Sequence, residues 1–154
     1  MRLPFVLGFT LALAGAGTSA PALKEPPGND PNLIGEWVLE RLELGGKPTS
    51  LDGVAVRTEF TADGKRVTRN RGGEVIAERL YTLGRDRVPP RIDIRAADGE
   101  AVALRGIYSV SGEKLTVAYV TDDAADRPAK LESPAGSKVY LGTYRRMKKQ
   151  VQDD

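Results

Sequence analysis

The sequence predicts an all-β protein, an eight-stranded antiparallel meander closed into a barrel with a small or filled interior. Three observations carry this. Val102, Leu104, Gly106, Tyr108 and Val110 fall on one face at period two, and Leu115, Val117 and Tyr119 do so after a turn at Ser111, Gly112, Glu113 and Lys114, the pattern of an antiparallel hairpin. Most of the chain beyond residue 33 repeats this unit of half-buried strand and Gly-containing turn. No long stretch has a convincing helical period. A meander of hairpins buries one face and hides both edges by closing on itself. A two-sheet sandwich is the main rival, but sandwiches usually need longer crossovers than most of those here.

Taken in order, residues 1–22 read as a secretory signal peptide. A short basic start at Arg2 precedes the apolar run Leu3 to Gly17, and small residues follow up to Ala22. The run is too Gly- and Ala-rich for a confident membrane span, which needs about 20 apolar residues. Residues 23–32 contain Pro26, Pro27 and Pro31 and read as an exposed linker. The barrel domain is expected over 33–148, and 149–154 read as a polar tail.

The first strand of the domain has mixed parity: Trp37 and Leu39 on one face, Val38, Leu42 and Leu44 on the other. A bulge or bend near Glu40 and Arg41 would swap the face given to the core; an amphipathic helix is the competing reading. Val54, Val56, Thr58 and Phe60 alternate with Arg57, Glu59 and Thr61, and Asp63-Gly64 supplies a hairpin turn. The next long strand is ambiguous. Val75, Ala77, Tyr81 and Leu83 form one candidate inner face, Ile76 and Leu80 the other. Ile92 and Ile94 oppose Arg91, Asp93 and Arg95. Residues 122–137 are the longest irregular region, with room for a helical turn over 122–127. A strand after Lys138 closes the domain.

The 154 residues include no cysteine and no histidine. Thiolate nucleophiles, Ser-His-Asp and Cys-His sites and disulfides are thereby excluded, together with soft zinc ligands. The formal charge is +2, from 23 basic and 21 acidic residues, and loss of the signal would remove Arg2 alone. So balanced a surface gives no strong field for nucleic acid or anionic lipid. Lys65, Arg66, Arg69 and Arg71 form the densest basic run. With no aromatic residue among them they read as a solvated turn rather than a nucleic-acid platform.

Trp37, the single tryptophan, is expected to plug the barrel base, with ligand stacking as the sharper alternative. Tyr81, Tyr108 and Tyr119 share the predicted inner face and can either fill the space or line a pocket. Arg79 and Arg105 are placed near that pocket's mouth. Gly106 and Gly142 lie mid-strand, where glycine marks curvature, a bulge or close backbone approach. Glu78 would be the acid to watch, paired with Arg105, if Ile76 and Leu80 faced inward. No two acids are set by the pattern on opposing inner positions, as glycoside hydrolysis requires. No catalytic residue, cofactor or metal site is expected.

Gly35, Glu36 and Trp37 resemble the Gly-x-Trp opening of lipocalins. The finer resemblance is to the lipocalin-like domain family of unknown function found in many predicted exported planctomycete proteins. It rests on an ordered set: Gly35 and Trp37; Gly46, Lys47 and Pro48; Phe60; Pro89, Ile92 and Asp93; Gly106, Ile107 and Tyr108; Leu115; Arg127 and Pro128; and Tyr144, Arg145 and Arg146. The set spans about residues 33 to 148. Where family members often have an aromatic residue after Arg-Pro, this chain continues Ala129, Lys130, Leu131. The resemblance implies a lipocalin-like fold and export, and no activity.

These readings converge on a non-enzymatic exported protein, periplasmic or extracellular, that binds a small apolar or amphipathic ligand through Trp37, Arg79, Tyr81, Arg105, Tyr108 and Tyr119. The alternatives are a solid barrel contacting another envelope protein through residues 122–137, and a hydrolase with buried carboxylates. No nucleic-acid partner is expected, and no membrane span after signal removal.

Overall fold

The computed structural model describes residues 30–54, 56–96, 98, 101–121 and 125–148. The expected signal peptide, most of the linker and the tail lie outside them. Nine strands follow one another: β1 (Gly35–Leu44), β2 (Lys47–Pro48), β3 (Arg57–Phe60), β4 (Lys65–Arg69), β5 (Val75–Gly84), β6 (Arg91–Arg95), β7 (Val102–Ser111), β8 (Lys114–Val120) and β9 (Tyr140–Arg146). Each pairs antiparallel with its neighbour, and β9 returns to β1. This is a closed eight-stranded barrel, with the two-residue β2 paired to the end of β1 outside the ring.

β1 shows why the parity was mixed. Leu39 pairs with Tyr144 and Arg41 with Thr143, so Glu40 is the extra residue of a bulge. Trp37 and Leu39 are buried before it and Leu42 after it, while Glu40 and Arg41 are exposed. One inserted residue keeps both halves of the strand facing the core. On β5 the inner face is Ala77, Arg79, Tyr81 and Leu83: Tyr81 sits opposite Ile94 and Leu83 opposite Ile92. Ile76 and Leu80 point outward and are 52% and 36% exposed.

Registers place Gly35, Phe60, Lys65, Arg91, Lys114 and Arg146 at one end, the base, and Leu44, Arg69, Val75, Val102, Val120 and Tyr140 at the other, the mouth. The base is plugged. Residues 30–34 form a turn in which the amides of Leu33 and Ile34 donate to the Asp30 carbonyl, and Leu33 is completely buried. Trp37 Nε1 donates to the Leu33 carbonyl at 2.8 Å, and the Arg146 guanidinium lies 4.2 Å above the indole. Arg146 also donates to the carbonyls of Ile34 and Asn32. Trp37, Tyr108, Leu115, Ile92 and Tyr81 each retain at most 2% of their surface, so the base is closely packed. Each large apolar side chain so buried contributes about 1.5–3 kcal/mol.

Two features extend the domain beyond the alternating strands. Asp30, read as linker, is buried and accepts a hydrogen bond from Tyr108 at 2.8 Å; the packed domain therefore reaches back past residue 33. Residues 125–139 run along the outer wall. Arg127 Nη1 lies 2.7 Å from Asp93 Oδ1 and donates to the Gly106 carbonyl at 2.8 Å. Further on, Ser133 Oγ donates to the Val139 carbonyl and accepts from the Gly46 amide. Ile107, Ala118 and Val120 have outward parity yet are buried, and Ile107 shares a cleft with Arg127, Pro128 and Ala129. The helical turn expected over 122–127 falls partly outside the described residues, and Ala125, Asp126 and Arg127 are irregular.

Candidate functional site

The interior divides into a solid base and a partly accessible mouth. The sequence-predicted residues divide with it. Trp37, Tyr81 and Tyr108 belong to the base, where each polar handle is already engaged. The Tyr81 hydroxyl donates to the Thr61 carbonyl at 2.8 Å, and its ring meets Phe60 edge-on, centroids 5.2 Å apart. Tyr108 donates to Asp30. Arg105 does not line the interior. It sits opposite Asp93 with outward parity, since its neighbour Gly106 pairs with Ile92 on the inner face, and its Nη2 donates to the Ala125 carbonyl at 2.7 Å. Glu78, also outward, lies 3.2 Å from Lys65 Nζ.

Tyr119 and Arg79 do share the inner face of the upper barrel. Tyr119 stacks on Tyr140 of the next strand, with centroids 5.1 Å apart and planes 9° from parallel. Register adds residues that the sequence reading missed. Phe60 pairs with Arg66, and Arg66 with Arg79. Directly opposed residues share a face, so both arginines project from the inner wall. Tyr144 on β9 also projects inward, paired with Leu39 and Leu115, close enough for the Arg66 charge to act on its phenol. Gly142 makes room for that ring: an added Cβ would lie 2.7 Å from Tyr144 Cε2.

Burial pushes the phenols of Tyr119 and Tyr144 up from their ordinary value. The positive charge of Arg66 opposes this at both. Both phenols are thus neutral donors at neutral pH, beside a cation. Arg66 Nε is buried and has no hydrogen-bond partner. Among the described strands no inward position carries a carboxylate, and no group of three potential metal ligands occurs among the described residues. The rim is apolar: Leu44, Val75 and Ile76 are 36%, 47% and 52% exposed. Beside it a cleft of about 270 Å³ is lined by Val54, Asn70, Arg71 and Ile76.

The Asp63-Gly64 turn is the signal that would have found Arg66. Fixing that turn sets Phe60 against Arg66, and an inward Phe60 then carries the arginine in. Tyr140 and Tyr144 follow from parity with Gly142.

No protein-family model matches the chain, and no curated protein sequence matches it.

Proposed function

We propose that the chain is a non-enzymatic, exported binding protein of lipocalin-like fold that takes a small apolar or amphipathic molecule at the barrel mouth. The observation that carries this reading is the contrast within one interior. Trp37, Tyr108 and Leu115 at the base have at most 1% of their surface accessible, whereas Tyr119, Tyr140 and Leu104 nearer the mouth remain half-buried. A concave, mostly apolar wall with a few convergent polar groups is what small-molecule recognition uses. Export rests on the basic and apolar order of residues 1–22. A hydrolytic role gains no support from the inner wall, where no carboxylates face one another. The alternative of an envelope contact through residues 122–137 draws little support either, because Arg127 and Ser133 tie much of that segment to the barrel.

The test is purification without denaturation followed by native mass spectrometry, with a thermal-shift screen against fatty acids, sterols and haem-like molecules. A retained mass, or a shift that Tyr119→Ala abolishes, is the expected result. A chain that carries nothing and answers to none of these classes overturns the reading.

A further inference from the structure

We infer that the molecule taken at the mouth carries a carboxylate head group, and that Arg66 is its counter-ion inside the barrel. The inference rests on the binding role proposed above and names the chemistry of that site. Its basis is an arrangement that the chain leaves electrically incomplete. Arg66 and Arg79 stand directly opposite each other across β4 and β5 on the inner face, where like charges repel. Among the described residues neither forms an ion pair, and no inward strand position supplies an acid. Arg66 Nε is removed from water with no acceptor. Such a donor is costly to leave unmade.

A carboxylate resolves all of this at once. A guanidinium presents Nε–H and Nη–H as a planar fork that matches two carboxylate oxygens. Tyr144, whose phenol is neutral and lies within reach of the Arg66 charge, adds a hydroxyl on the same inner face. The stacked rings of Tyr119 and Tyr140 supply an apolar side to the same space. Nearer the mouth, Leu44 and Leu104 continue the inner wall on which an alkyl tail can lie. Polarity therefore fixes the orientation: head inward on Arg66, tail toward the mouth.

Laurate and 1-dodecanol, which share a tail and differ in the head, separate the possibilities. Titration calorimetry on the full chain is expected to show laurate binding at least about tenfold more tightly than the alcohol. Arg66→Met is expected to remove that preference while leaving alcohol affinity within about twofold, and Arg66→Lys to restore it only in part. In the ligand-free protein Arg66→Met is expected to melt no lower than wild type, since it removes a buried Nε–H that has no acceptor. If wild type binds both probes equally, or the preference survives Arg66→Met, the carboxylate assignment fails and the binding role stands. If Arg66→Met melts well below wild type, Arg66 is a structural residue and the assignment fails. If wild type binds neither probe, the carboxylate assignment fails, and the binding role is decided by the wider screen described above.

Discussion

The Tyr108 hydroxyl donates to Asp30 Oδ2 at 2.8 Å across a sequence separation of 78 residues, and both groups are buried. Asp30 also accepts from the Asn32 amide at 3.0 Å, so the carboxylate serves the turn and β7 together. Tyr108→Phe removes one donor and leaves a buried acceptor oxygen unmatched. The expected loss is about 1–3 kcal/mol of unfolding free energy, measured by urea denaturation. A loss below about 0.5 kcal/mol would show that the plug does not depend on this bond.

Gly106 on β7 lies tight against its partner strand β8. A Cβ there would sit 2.6 Å from the Ala118 carbonyl oxygen and 3.0 Å from Tyr119 Cβ. The first of these is backbone of the neighbouring strand and yields only if the sheet moves. Gly106→Ala is expected to destabilise by about 1–3 kcal/mol, read as a lower melting temperature.

Burial raises the phenol pKa of Tyr81, Tyr108, Tyr119 and Tyr144 above the ordinary value of 10.0. Above about pH 10 the unfolded chain releases phenolic protons that the folded chain keeps, so the unfolded state binds fewer protons and is favoured. Stability from these groups is therefore complete below that pH and declines as pH rises through it. Denaturation midpoints between pH 8 and 12 should fall above about pH 10, with a shallower fall in Tyr119→Phe. A flat profile would contradict the buried placement.

Arg127 joins the outer segment to Asp93 and to the Gly106 carbonyl. The ion pair is partly exposed, which weakens it, but the bond to the strand carbonyl is charge-assisted. Arg127→Ala is expected to cost about 1–3 kcal/mol and to raise hydrogen exchange first over residues 125–139. Arg127→Lys, which lacks the fork, should not restore protection.

Much of the architecture was legible because it depends on period two. The β1 bulge was one of two readings of Leu39 and Leu42, because once the segment is taken as a strand only an extra residue puts both inside. β5 was ambiguous because Val75 and Ile76 stand at the apolar rim, where parity no longer separates core from solvent. Asp30 was read as linker because neighbouring prolines say that a segment is irregular, not that it is exposed. Arg66 was hidden for a related reason. A basic run on a hairpin looks like a solvated surface, and only strand register shows which of its members turn inward. Arg105 was misplaced although the parity of Gly106 and Tyr108 already put it outside. Covering of the outer wall, with Ile107 and Ala118 buried, depends on the path of an irregular segment and leaves no periodic trace.

The pairing of β1 with β9 brings together residues such as Glu40 and Arg145, 105 positions apart and 2.7 Å from each other. During synthesis the early strands leave the ribosome with one flank lacking its neighbour, and that flank stays open until β9 has been made. So distant a final contact slows folding, and an unpaired flank invites association with other chains. Efficient maturation therefore favours a partner that shields the incomplete intermediate, or conditions dilute enough for the last strand to find the first before another molecule does.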